Sequence, residues 1–251
     1  PQDTEAAAFF DVDNTLIQGS SLILLAQGLF KKRFITLSEL APALRKQIRY
    51  RVSGSENADD IAEGREQALA IVKGKSVEEL KQACREIVDN RMLQKSYADT
   101  IELASMHLAA GQQVWLVSAT PVQIGQALAE TLGFTGALGT VAEEEDGKFT
   151  GRLVGDILHG PGKKHAVAAL AALQQLDLSK CTAYSDSVND LPMLNMVGSP
   201  VAVNPDRALR KHAKAQGWAV RDYRSVRRVM RAGVVPAVLA AAGLWWWRRR
   251  R

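Results

Sequence analysis

The run Ala6-Ala7-Ala8-Phe9-Phe10 breaks off abruptly into Asp11-Val12-Asp13-Asn14-Thr15, and few folds accommodate that order of residue types. An uninterrupted apolar stretch of this length reads as a strand buried on both faces, as in the middle of a parallel sheet. In open α/β sheets, chemistry collects in the crevice at the carboxyl ends of the strands. Two carboxylates at such a tip repel each other and need a cation or a shared proton. A hard divalent ion with oxygen ligands, most simply Mg²⁺, meets that need. A plain polar turn uses the same residue types. A calcium loop of the EF-hand kind does not fit, because Leu16 stands where the sharp turn needs glycine and no glutamate follows at the twelfth position.

The 251 residues suffice for one well-buried α/β domain with an insertion, or for two small domains. A hydrophobic fraction of 47% is that of a globular protein. Cys84 and Cys181 match no zinc spacing and suit a reducing compartment. No basic region precedes the first apolar run, so no secretory signal is expected and the reading is cytoplasmic. The net charge of +5 is unevenly spread. From Asn204 onward 13 Lys and Arg face 2 Asp and Glu, a net +11, whereas the preceding part carries −6. The basic character belongs to the C-terminal end and not to the acidic motif.

Along the chain, helical patterns follow the first motif without a strand pattern from about residue 20 to 96. Ser20 or Ser21 caps a helix through Leu22, Leu25, Leu29 and Phe30. Two capping boxes follow, Thr36-Leu37-Ser38-Glu39 before Leu40, Leu44 and Ile48, and Ser76-Val77-Glu78-Glu79 before Leu80, Cys84 and Ile87. Between them Ile61, Ala68, Leu69 and Val72 mark another helix. This predicts an all-helical insertion of about four helices. From Tyr97 on, strands and helices alternate. Val114–Val117 ends in Ser118-Ala119-Thr120-Pro121, with Thr120 as the expected cap of the next helix. Asp146-Gly147 signals a hairpin. Gly160-Pro161-Gly162-Lys163-Lys164 opens a helix, and Thr182–Ser185 ends in Asp186-Ser187-Val188-Asn189-Asp190. Alternation of this kind predicts a doubly wound parallel sheet. The expected organisation is an α/β core from residues 1–19 and 97–222, an inserted helical cap over 20–96, and a tail over 223–251.

Strand tips thus present Asp11 and Asp13, Ser118, and Asp186 with Asp190, while a helix start offers Lys163. The set suits phosphoryl transfer, where a phosphate dianion must approach an anionic nucleophile with cations and donors standing by. Asp11 is the candidate nucleophile, forming an aspartyl-phosphate. Asp13 is the candidate acid and base. Mg²⁺ is expected on Asp11, Asp186 and the Asp13 carbonyl. Ser118, Ala119, Lys163 and Asn189 are the candidates for holding phosphate, with Thr15 and Asp190 in support. Lys164 remains the adjacent alternative to Lys163.

On these four motifs, in this order and with a helical insertion after the first, residues 6–220 resemble the haloacid-dehalogenase-like phosphatases, in their phosphoserine-phosphatase-like subclass. The resemblance implies a Rossmann-like α/β core, Mg²⁺ dependence, an aspartyl-phosphate and a cap that opens and closes. Two departures leave the substrate open. Gln18-Gly19-Ser20-Ser21 stands where phosphoserine phosphatases carry a glutamate, and Ala119-Thr120 replaces their Gly-Gly after the serine. Arg65 is a possible partner for an amino-acid carboxylate in the cap but does not align cleanly. A small phosphate ester is the expected substrate; the rivals are an ester derived from phospholipid, transfer to an alcohol instead of water, and a non-catalytic membrane-bound interaction protein.

The tail sets Ala232–Trp247, sixteen apolar residues ending in three tryptophans, between Arg224, Arg227, Arg228 and Arg231 on one side and Arg248–Arg251 on the other. As helix that is about 24 Å, short of the ~30 Å hydrocarbon core. Tryptophan and arginine together favour contact with an anionic membrane, lying at its interface or as a short span with snorkelling arginines, over a helix packed on the protein's own body or on a second copy. Contiguous aromatics without interleaved arginine disfavour nucleic acid. His107, His159, His165 and His212 have no spacing partner, and Cys84 and Tyr184 read as core.

Overall fold

The computed structural model describes residues 4–36, 38–39 and 68–224. The helix expected through Leu40, Leu44 and Ile48, the residues Ile61 and Arg65, and the tail from residue 225 lie outside the described residues.

Seven strands form one sheet: β1 (Ala7–Asp11), β2 (Gln113–Pro121), β3 (Gly136–Glu145), β4 (Lys148–Val154), β5 (Thr182–Ser185), β6 (Ser199–Val203) and β7 (Ala219–Arg221), in the order β4-β3-β2-β1-β5-β6-β7. All neighbours are parallel except β3 and β4. Those two make the expected hairpin, with Asp146 and Gly147 both at positive φ, as a tight primed turn requires. The first strand lies at the centre, and every residue of it is buried.

Among the described residues seven α-helices have defined bounds: α1 (Ser21–Lys31), α2 (Val77–Ile87), α3 (Ala98–Ala109), α4 (Val122–Leu132), α5 (Pro161–Gln174), α6 (Leu191–Leu194) and α7 (Arg207–Ala215). Residues 68–72 are also helical. The period-2 alternation of β1 divides the core. Ala8 and Phe10 join one apolar layer with Leu24 and Leu29 of α1, Leu80 and Ile87 of α2, Ala104 of α3 and Leu128 of α4. Ala7 and Phe9 face the other layer, with Val167 of α5, Met193 of α6 and Leu209 of α7. Helices therefore cover both faces, the doubly wound arrangement that the sequence predicts.

Local signals explain most element ends. Ser20 caps α1 and Ser76 caps α2, each side chain accepting a backbone N–H three residues on. Thr36 and Glu39 exchange the reciprocal bonds of a capping box. One expectation needs correcting: Thr120 does not cap α4. β2 runs on to Pro121, which takes the cap position, and the pairing of β2 with β3 shifts between Val117 and Pro121. The Thr120 N–H and hydroxyl both turn to Ser118 Oγ instead (3.2 and 2.8 Å).

The helical segment that follows β1 rejoins the chain around β1 at two adjacent crossings. Gln18 N–H donates to the Lys95 carbonyl (2.8 Å) and Tyr97 N–H to the Leu16 carbonyl (2.8 Å). The segment before α2 also pairs with the hairpin, through Gly74 to Phe149 (2.8 Å) and Val77 to Gly147 (2.9 Å).

Candidate active site

β2 and β5 flank β1 on either side, and the connections leave β1 in opposite directions along the sheet. This is the topological switch point at which open α/β sheets place their ligands. Register sets the heights. Asp11 pairs with Val117 and Phe10 with Tyr184, so Ser118 and Asp186 each lie one residue past the level of Asp11.

Lys163 comes from the first turn of α5. Gly160, at positive φ, turns the chain into that helix, and Gly162 lies so close to the Ile157 carbonyl that a Cβ would stand 2.3 Å from its oxygen. The Lys163 ammonium reaches Asp11 Oδ1 at 2.6 Å and Asp190 Oδ2 at 2.7 Å. All three residues are buried, whereas Lys164 is exposed, so Lys163 is the lysine at the strand tips. Thr15 Oγ1 donates to the other Asp11 oxygen (3.1 Å) and Ser185 Oγ to Asp190 Oδ2 (2.7 Å).

Electrostatics follow from that packing. Burial pushes the Asp11 carboxyl up to about 8 despite the pull of Lys163, and Asp190 and Asp186 add to the rise. Burial likewise pushes Asp186 up to about 7, with Asp190 and Asp206 adding while Asn14 and Lys163 oppose. For Lys163 burial acts downward, but Asp11 and Asp190 outweigh it and hold the ammonium above the usual lysine range. Lys163 pairs with Asp11 and Asp190 while Asp186 stands nearby, so with all three ionised the site would carry negative charge that a second cation would neutralise.

The other expected residues are placed as follows. Asp13 is half-buried and turned to the start of α1, where Oδ1 accepts the N–H (2.9 Å) and hydroxyl of Ser21. The Ser118 hydroxyl is buried beside Thr120, while Ala119 and Asn189 are exposed at the ends of β2 and of the loop after β5. Direct contacts join Asp11, Lys163, Asp190 and Thr15; Asp13, in the loop after β1, and Ser118, in β2, belong to separate hydrogen-bonded groups. Sequence reasoning passed over Ser185, Ser21, Thr120, Asn204 and Asp206. A signal exists only for the last two, in the polar Asn204-Pro205-Asp206 that follows an apolar strand. His107, which the sequence leaves without a ligand role, bonds the Tyr184 hydroxyl (2.7 Å) and Gln112 away from this site.

Among the described residues no three carboxylate, imidazole or thiolate side chains form a metal-ligating cluster. No helix among the described residues is long and apolar enough to cross a membrane.

A fold with this switch point and this acidic site has counterparts. Residues 8–195 match the family model of haloacid dehalogenase-like hydrolases. The chain is 52% identical over 244 residues to phosphoserine phosphatase SerB1 of Mycobacterium tuberculosis, covering 97% of this chain and 79% of that protein. It is 33% identical over 221 residues to a histidinol-phosphatase of Neisseria meningitidis, covering 86% and 98%. A crystal structure of a Bordetella pertussis protein of unknown function superposes with a TM-score of 0.76 at 30% identity, covering 87% and 98%. The chain belongs to the haloacid dehalogenase-like hydrolases and is an enzyme of their phosphatase kind.

Proposed function

We propose that this phosphatase hydrolyses a small phosphate monoester through an aspartyl-phosphate on Asp11, with Mg²⁺ as cofactor and residues 20–96 as a helical cap. The observation that carries the reading is the buried Asp11–Lys163–Asp190 contact at the switch point, with Asp186 one residue past it.

Excess carboxylate and an all-oxygen donor set fit Mg²⁺, which keeps several waters and takes few protein ligands. The Asp11 and Asp186 carboxylates and the Asp13 carbonyl would hold it. Bound there, it supplies positive charge that lets an anionic nucleophile and a phosphate dianion approach each other. An Asp11 oxygen forms the bond to phosphorus as the ester bond breaks, and Asp13 gives its proton to the departing alkoxide. Asp13 then takes a proton from water as the water oxygen bonds to phosphorus and the Asp11–phosphorus bond breaks. Lys163 holds Asp11 in line and neutralises phosphate charge, and Ser118 donates to a phosphate oxygen. The Asn189 amide and the Ala119 backbone N–H are the further candidates for holding phosphate. Thr15 and Asp190 fix the orientation of Asp11 and Lys163.

Two relatives bear the names of enzymes for phosphate esters of small amino alcohols, which supports that class of substrate here. Residues 18–21 offer no carboxylate for an ammonium group, so any selectivity for one must come from elsewhere in the cap. The arginine- and tryptophan-rich tail supports contact with an anionic membrane, and flotation with anionic liposomes of the full chain against one ending at Arg231 tests it. Purified protein with Mg²⁺ should hydrolyse an aryl phosphate, and Asp11→Asn should lower the rate at least about 10³-fold. A wild-type rate at the buffer background would end the reading. A panel of phosphoserine, histidinol phosphate, glycerol phosphates and lysophospholipid phosphates then ranks the substrates.

A further inference from the structure

The turn after β6, Asn204-Pro205-Asp206, touches neither Asp11 nor Lys163 in any described hydrogen bond, yet it is tied to both loops that carry the proposed metal ligands. Asn204 is fully buried and sits at positive φ, a conformation that asparagine tolerates better than most residues. Its Nδ2 donates to the Asn14 carbonyl (2.8 Å), across 190 positions of sequence. Its Oδ1 accepts the Tyr223 N–H (2.8 Å), and its own N–H goes to the Arg221 carbonyl (2.7 Å). Asn14 follows Asp13 directly.

Asp206 holds the second loop. Its N–H donates to the Asp186 carbonyl (2.7 Å) and its Oδ2 accepts the Val188 N–H (2.8 Å). Oδ1 is occupied by the Leu209 N–H (2.7 Å), as the cap of α7. One three-residue turn therefore fixes the backbone beside Asp13 and the backbone of Asp186 relative to each other. A buried asparagine spanning from β7 to the loop after β1 does more than end a strand. A backbone exit from β6 alone needs no side-chain amide aimed at residue 14.

We infer that Asn204 and Asp206 are positioning residues that set Mg²⁺ affinity, by holding the Asp13 carbonyl and the Asp186 carboxylate at the separation the ion requires. The inference rests on the Mg²⁺-dependent reading above. Partners of metal ligands typically change affinity 10–100-fold when removed.

Two variants separate this role from plain stability. Asn204→Gly keeps the left-handed backbone and removes both side-chain bonds. Asp206→Asn keeps an oxygen to cap α7 but turns an amide donor toward the Val188 N–H. Each is titrated with MgCl₂ alone, following the melting temperature, and again with an aryl phosphate, following the rate. The Mg²⁺ concentration at half-effect should rise about 10–100-fold in both readouts, and the rate should recover at saturating Mg²⁺. A merely structural role would lower the melting temperature equally at every Mg²⁺ concentration and leave the half-effect point within about twofold of wild type, which overturns the inference. The two variants break different contacts, so Asp206→Asn decides the matter where Asn204→Gly does not fold. Wild-type protein that neither melts higher in Mg²⁺ nor hydrolyses the ester would remove the underlying reading, a result distinct from variants that titrate like wild type.

Discussion

At the scale of single residues, Lys163 decides whether the site can exist as folded. Its ammonium is bonded to Asp11 and Asp190, and all three side chains are nearly inaccessible to water. Lys163→Met keeps the aliphatic volume and removes the charge, leaving two carboxylates buried without a cation. Breaking a buried ion pair from one side costs about 3–5 kcal/mol. Part of that cost is relieved when the stranded carboxylates bind protons, so the loss should be larger at pH 8 than at pH 5. Urea unfolding at the two pH values in EDTA measures it, and an equal loss at both would contradict the argument. Lys163 was legible in the sequence because it follows two glycines at a helix start, as Asp11, Ser118 and Asp186 were legible at the ends of apolar runs. Ser185 and Ser21 were not, and Asn204 showed only as part of a polar turn after a strand. A serine ending a strand or an asparagine after one has many ordinary reasons to be there, and Asn204 acquires its meaning from a partner 190 positions away.

At the scale of elements, α1 and α2 show how closely the inserted helices are fitted to each other. Gly28 of α1 lies against Ile87 of α2, where an added Cβ would stand 2.4 Å from Ile87 Cγ1. Gly28→Ala gains up to about 1 kcal/mol of helix propensity, but overpacking a buried contact costs about 1–3 kcal/mol. The second effect should prevail, because Ile87 is buried and three of its side-chain carbons would lie within 3.2 Å of the added Cβ. We expect a net loss of roughly 1 kcal/mol, a fall in melting temperature of about 2–4 °C, and a variant melting above wild type would show that the helices can part freely. The helix pair itself could be read from periodicity and from the serine caps, since both are local. The closeness of Gly28 to Ile87 could not, nor could the order of the strands, because the identity of a strand's neighbours leaves no mark within that strand. The boundary at Thr120-Pro121 misled for a related reason. Thr-Pro is a good helix start by local rules, but Ser118 Oγ lies within reach and takes the hydrogen bonds that a capping threonine would have used.

At the scale of the whole molecule, charge is distributed against the needs of the fold. The basic excess sits in the C-terminal end, while the strand tips gather three carboxylates around one ammonium. Asp11, at about 8, and Asp186, at about 7, both lie above their ordinary value of about 3.9 in the unfolded chain. A carboxyl whose folded value is raised stabilises the fold fully below the unfolded value and loses that contribution as pH rises through the folded one. In EDTA the melting temperature should therefore fall as pH rises from 5 to 8.5, by several degrees, given that 1 kcal/mol moves it roughly 2–4 °C in a chain of this size. Mg²⁺ binds the ionised carboxylates, so its stabilising effect should be small at pH 5 and largest at pH 8 and above. Asp11→Asn tests the source: the variant should show a shallower fall in EDTA and a weaker response to Mg²⁺. Scanning calorimetry across pH, with EDTA and with Mg²⁺, gives all four curves. A melting temperature independent of pH in EDTA, together with an equal Mg²⁺ effect at pH 5 and pH 8, would mean that the strand tips do not hold the unbalanced charge on which the proposed chemistry relies.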